Sequence, residues 1–208
     1  MEILLDQLGK RFNFNWIFKN VSISLKSGEN LVILGPNGSG KSTLLQLLSG
    51  AVIPSEGKIN WNQKGSEIDP ETIYRYVSIS APYLELIEEF TLEEHIDFHF
   101  SVKPPVQNLS KKSLLDLTGL KSAANRRISY FSSGMKQRVK LSLAILSDTP
   151  LLLLDEPLSN LDVQAGTWYR SLIKEYAAQK TVVVCSNSIE SEYEFCDRSI
   201  NIQDFKNA

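Results

Sequence analysis

Apolar residues recur along this chain at two spacings, and the points where one spacing replaces the other predict the order of its elements. Residues 3–5 read as a strand, as do residues 17–25, where Val21-Ser-Ile-Ser-Leu25 alternates inward and outward positions. The continuous run at 31–34, after the turn Ser27-Gly-Glu29, reads as a strand covered on both faces. Leu44-Leu-Gln-Leu-Leu48 carries helical spacing, and residues 57–61 and 76–80 read as further strands. From about 91 to 125 the pattern turns helical. Thr91 followed by Glu94 is a capping box, Pro104-Pro105 closes that helix, and residues 110–117 form a second one. Strand and helix then alternate again: a helix near 133–146, a strand at 151–154, a helix through 162–178 and a strand at 181–185. Such alternation implies right-handed crossovers and a mostly parallel sheet covered on both faces, the architecture of an α/β chain.

Composition narrows this picture modestly. With 208 residues and 42% hydrophobic content the chain suits one domain, with a core over about 1–80 and 131–208 and a small helical subdomain over about 81–130. A net charge of −2 offers no basic field for nucleic acid, and Lys111-Lys112 and Arg126-Arg127 read as solvated surface. Cys185 and Cys196 lack metal-ligand spacing and fit a reducing compartment. The first residues predict no secretory leader, and no apolar run reaches the length that spans a bilayer.

The chemistry begins at Gly35-Pro36-Asn37-Gly38-Ser39-Gly40-Lys41-Ser42-Thr43, a phosphate-cradling loop between an apolar strand and a helix. Glycines there let main-chain N–H groups turn inward around a polyphosphate, and the following helix adds its positive end. Lys41 is the candidate clamp on the β- and γ-phosphates, and the Ser42 hydroxyl is a candidate ligand of the Mg²⁺ held between them. The expected ligand is therefore a nucleoside triphosphate. About 110 residues later, Leu151-Leu-Leu-Leu-Asp155-Glu156-Pro157 sets two carboxylates at the end of a buried strand. Asp155 is expected to orient Mg²⁺ through water, and Glu156 to polarise an attacking water as general base.

With these two motifs the chain resembles the ATP-binding cassette (ABC) ATPases, the nucleotide-binding subunits of ABC transporters. Ser159-Asn-Leu-Asp162 resembles the family's D-loop, and Phe131-Ser-Ser-Gly-Met-Lys-Gln-Arg138 stands where its Leu-Ser-Gly-Gly-Gln signature belongs. The resemblance implies a phosphate-loop NTPase core with a mostly parallel sheet, an amino-terminal antiparallel β subdomain and a helical subdomain. It further implies ATP and Mg²⁺ as ligands, and two such subunits sandwiching ATP head to tail as a homodimer or a heterodimer. A separate transmembrane permease would hold the chain at the cytoplasmic face of the membrane. Ser132, Ser133 and Gly134 would then meet a phosphate bound by the other subunit, since a helix start offers free N–H groups. Phe12, with Trp16 as an alternative, would stack on adenine.

Departures from that family pattern shape the expected activity. The family's Q-loop glutamine, a contact to Mg²⁺ and water, falls here at Ser80 or Ile79, and a serine is too short for the same reach. Its switch histidine becomes Asn187, which donates to a γ-phosphate but shuttles no proton. Ser133 and Met135 replace a glycine and a glutamine of the signature. Together these predict ATP binding with slow hydrolysis in a transport ATPase. The alternatives are a regulatory subunit that scarcely hydrolyses and a small-molecule kinase, for which no acceptor pocket is identifiable. A heterodimer partner would supply one competent signature. His95 and His99 read as exposed helical surface, and Tyr83-Leu-Glu-Leu-Ile87 with Phe90 reads either as core filling or, by resemblance, as the edge of a groove for the permease.

Overall fold

The computed structural model describes residues 1–206. Its amino-terminal strands outrun their apolar stretches: β1 (Glu2–Phe12) and β2 (Asn15–Leu25) form a long hairpin turned at Asn13, which adopts a left-handed φ of 53°. β3 (Asn30–Leu34) leads into α1 (Lys41–Leu48), so the helix begins at the phosphate-loop lysine rather than at Leu44. β4 (Glu56–Gln63), β5 (Ser66–Glu67) and β6 (Val77–Ser80) follow. The helical lobe contains α2 (Leu92–Val102) and α3 (Lys111–Thr118). The chain then continues with α4 (Ser133–Ile145), β7 (Leu151–Asp155), α5 (Val163–Tyr176), β8 (Thr181–Ser186) and β9 (Arg198–Asn201).

The strands sort into an antiparallel sheet, ordered β2-β1-β4-β5, and a parallel sheet, ordered β6-β7-β8-β3-β9. In the hairpin Ile3 faces Leu25, Leu5 faces Ile23 and Leu8 faces Val21; period-2 alternation, re-phased by the register shift between Leu5 and Leu8, puts all six on one buried face. Alternation also divides the parallel sheet. Leu151, Leu153, Val183 and Cys185 pack with α1 and the antiparallel sheet. Leu152, Leu154, Val182 and Val184 pack with α4, α5 and the helical lobe. Every residue of β7 and β8 is buried, which is why neither strand shows alternation in its sequence.

The capping box forms as read: Thr91 Oγ1 accepts from the Glu94 N–H at 3.2 Å, and the Glu94 carboxylate accepts from the Thr91 N–H at 2.8 Å. The histidines of α2 do not lie on exposed surface. His95 is 7% exposed on the inward face with Leu92 and Ile96, and His99 Nε2 lies 2.9 Å from the buried Ser147 Oγ. The outward face holds Asp97, whose carboxylate together with that of Glu93 clasps Lys111, each at 2.6 Å. Neither histidine belongs to a metal-binding cluster among the described residues. The segment after β6 divides between its two readings, because Leu86 packs against the lobe's core while Tyr83, Leu84 and Ile87 remain exposed.

Candidate nucleotide site

The loop between β3 and α1 takes its shape from residues that tolerate a left-handed backbone. Gly35 and Gly40 have φ of 152° and 109°. A Cβ at Gly35 would lie 2.7 Å from Ser39 Oγ, and one at Gly40 would lie 2.6 Å from Ile17 Cγ2, so side chains at both are excluded by strain and by space. The resulting cavity, about 380 Å³, is lined by Ile17, residues 37–43 and Glu156. It lies at the carboxyl ends of β3 and β7, where a parallel sheet presents its ligand-binding groups.

Lys41 is 4% exposed, and its Nζ donates to the carbonyls of Gly35 (2.7 Å) and Pro36 (3.1 Å) and to Asn187 Oδ1 (2.5 Å). The other end of the Asn187 amide is equally committed: Nδ2 donates to Glu156 Oε1 (2.7 Å) and to Asn37 Oδ1 (2.6 Å). One neutral side chain therefore couples the lysine clamp to the candidate base. A neutral histidine has one ring donor and one ring acceptor, so it could not reproduce all three bonds.

β8 delivers Asn187 from its carboxyl end, and β7 delivers the two acids. Asp155 continues the alternation onto the α1 face and is 2% exposed. Burial pushes its carboxyl above the ordinary range, and Glu156 adds to this, while the Ser42 hydroxyl and Lys41 pull the other way. Glu156 leaves the strand with φ 46°, its N–H still bonded to the Cys185 carbonyl at 2.9 Å. That left-handed turn costs about 1–3 kcal/mol and directs the carboxylate into the loop cavity instead of along the sheet. A desolvated carboxylate joined to a serine hydroxyl suits Mg²⁺, which takes one or two protein oxygens and completes its shell with phosphate and water.

Ser80 does not join this group. It pairs with Leu154 in the parallel register, so its side chain lies on the α4 face, opposite Asp155. Ile79 is on the nucleotide face but carries no polar group. The polar neighbour there is Tyr83, just past the strand: its phenol, half-buried, reaches the Gln46 side chain, and burial and the nearby Asp155 push it up to about 12. The sequence signal for Tyr83 was its position immediately after the Q-loop strand, but its apolar neighbours disguised it. Glu192 was also missed. Its fully buried carboxylate accepts from the Leu158 N–H (3.1 Å) and from the Ser186 hydroxyl, tying the loop after Glu156 to the strand before Asn187.

The remaining candidates lie apart from the cavity. Ser132 caps α4, its Oγ accepting from the Met135 N–H at 3.3 Å, and Ser132 and Ser133 are exposed. A Cβ at Gly134 would sit 3.0 Å from the Asn160 carbonyl, so the start of α4 is packed tightly on the loop that follows β7. Gln137 reinforces that seam by donating to the Pro157 carbonyl at 2.9 Å. Phe12 is 48% exposed at the hairpin end, with the Lys10 ammonium 5.0 Å from its ring centroid. Trp16 is bracketed by Lys19 at 4.4 Å and Arg11 at 5.4 Å.

Residues 18–159 match the family model described as ABC transporter. The sulfate/thiosulfate import ATP-binding protein CysA of Mesorhizobium japonicum is 32% identical over 96% of this chain and 60% of its own length. The taurine import ATP-binding protein TauB of Pelagibacter ubique is 35% identical over 83% of this chain and 65% of its own. The chain thus spans somewhat under two thirds of these relatives. Among solved structures, an ATP-binding cassette dimer in a post-hydrolysis state bound to ADP and Pi superimposes with a TM-score of 0.82, at 26% identity over 97% of this chain and 94% of that one.

Proposed function

The chain belongs to the ABC transporter family, and from that premise we propose that it is an ATP-binding, ATP-hydrolysing subunit that powers a separate membrane-spanning partner. The observation that carries this reading is the continuous bonded path Lys41–Asn187–Glu156 beside a glycine loop and the Ser42–Asp155 pair. A triphosphate entering the loop offers Lys41 anionic oxygens in place of two carbonyls and an amide, and the N–H groups at the start of α1 face the same charge. Ser42 and Asp155 would hold Mg²⁺, which would supply positive charge to the phosphate tail. One oxygen of Glu156 is occupied by Asn187, leaving the other to take the proton of the attacking water.

Slow turnover is part of the proposal. Asn187 is neutral at every accessible pH, so it positions Glu156 and the γ-phosphate without relaying a proton. The start of α4, exposed at Ser132 and Ser133 and continuing through Gly134, is offered to a nucleotide on a second ATPase subunit, while Phe12 supplies a face for the adenine. Among the described residues no helix is long and apolar enough to cross a membrane. In our reading the chain reaches the cytoplasmic face through its partner, with Leu84 and Ile87 at the contact. Charge at Leu84 or Ile87 should then break co-purification with the permease.

Steady-state ATPase assays on the purified protein test the reading. Saturable Mg–ATP binding with turnover below about one per second, the low end of enzyme rates, is expected. Faster turnover without a partner contradicts the slow-site argument. Phosphate transfer to a metabolite rather than to water would move the protein to another class.

A further inference from the structure

β6 ends one residue short of the level of Asp155, since Ser80 pairs with Leu154. The chain then turns at once. Ala81-Pro82-Tyr83-Leu84 is a four-residue turn with proline in its second position, where a fixed φ suits it, and the Leu84 N–H bonds to the Ala81 carbonyl at 3.2 Å. Lys140 Nζ donates to the same carbonyl at 3.1 Å, which pins the turn to α4. A turn held in this way presents its third residue in one direction. That residue is Tyr83, whose phenol crosses to α1 and meets the Gln46 side chain. Gln46 lies four residues beyond Ser42, one helical turn along the same face, a step of about 5–6 Å between Cβ atoms. Ser42 in turn bonds to the Asp155 carboxylate, and Asp155 is close enough to the phenol to act on it through space.

The bond with Gln46 favours the ionised phenol, so the amide is its donor and the phenol oxygen its acceptor. The phenol keeps its own hydrogen for another acceptor. Asp155 is the acid beside it, and a carboxylate bonded once, by the Ser42 hydroxyl, has acceptor capacity left on its second oxygen. We propose that Tyr83 is the positioning residue for Asp155: through one bridging water its O–H donates to the carboxylate oxygen that Ser42 leaves free, and this fixes the plane of the carboxylate toward the Mg²⁺ position. A water bridge of this kind is nearly as good as a direct bond, and groups that orient a metal ligand typically govern about 10–100-fold in metal affinity. The inference rests on reading Ser42 and Asp155 as the Mg²⁺ pair.

Mn²⁺ binding to the ADP-loaded chain, counted by EPR, tests the proposal without turnover. Tyr83→Phe removes one hydroxyl and keeps the ring, so it should weaken Mn²⁺ about tenfold or more while ADP affinity in EDTA stays at the wild-type value. In the Asp155→Asn background the same substitution should cost nothing further, because Tyr83 acts through that carboxylate. With ¹³Cζ-tyrosine labelling, the Tyr83 signal is one of seven and is assigned by its absence from Tyr83→Phe; it should shift when Mg²⁺ joins ADP. Equal Mn²⁺ affinity in wild type and Tyr83→Phe would overturn the proposal. So would a Tyr83→Phe loss that adds in full to that of Asp155→Asn, or one matched by an equal fall in metal-free ADP affinity. A wild-type chain that binds ADP but no Mn²⁺ would instead overturn the reading of the Ser42–Asp155 pair, and this proposal with it.

Discussion

Asn187 uses both ends of its amide, accepting from Lys41 and donating to Glu156 and Asn37. With nucleotide absent, the bond to Lys41 competes with the phosphate. Asn187→Ala should therefore leave ATP affinity unchanged or raised while cutting turnover by about 10²–10³, the usual cost of losing one positioned donor, as read from paired binding and steady-state assays. Glu156→Gln keeps the bond from Asn187 but cannot take a proton, so turnover should fall by about 10²–10⁴ with binding intact. A variant that lost affinity and turnover in parallel would mean that Glu156 acts in binding alone. Lys41 and Glu156 were readable because a phosphate loop and a strand-end pair of acids are contiguous, with local backbone requirements, whereas Asn187 stood out only through the family resemblance. Ser80 was misread because its strand is covered on both faces: without alternation in the sequence, nothing shows which side a residue faces, and only the pairing with Leu154 does so.

At the scale of elements, α2 carries its polar residues on both faces. The inward pair, His95 and His99, looks like surface in the sequence because histidine is polar, yet desolvation drives both below the ordinary imidazole value, His99 to about 4 from 6.5 with help from Lys103 and His95. Between these two values the unfolded chain binds more protons than the folded one, so stability is lost as pH falls from about 6.5 to about 4. Chemical denaturation across that window should show a fall of about 3 kcal/mol from His99, which His99→Gln removes; an unaltered slope would place the acid sensitivity elsewhere. The same logic of hidden polarity applies to Glu192. Glu192→Ala frees the loop after Glu156 from Ser186, so it should slow hydrolysis more than it weakens ATP binding. β9, short and polar at a sheet edge, has no apolar run to announce it, and the hairpin of β1 and β2 extends beyond its apolar stretches through an irregular register near Gln7.

At the scale of the whole molecule, the parallel sheet separates two chemistries. Its α1 face carries the phosphate-loop cavity with Lys41, Asp155 and Glu156, and its α4 face carries a second cavity beside Ser80 and the exposed segment of Leu84 and Ile87. The start of α4 points its free N–H groups outward instead of into the chain's own loop, so the site is completed by a second subunit in our reading. Glu156→Gln with Mg–ATP should then sediment as a dimer, and the nucleotide-free chain as a monomer. A monomer under both conditions, converted to a dimer only by a different ATPase chain, would assign the heterodimer. The architecture was legible in outline because element order alone implies a parallel sheet, whereas the position of each cavity depends on side-chain facing that periodicity does not reveal. The most direct measurement of the central claim is calorimetric titration of Mg–ATP into the wild-type chain and into Lys41→Ala. One nucleotide per chain with affinity lost on substitution is the predicted result, and an absence of binding heat, or equal affinity in both proteins, would contradict it.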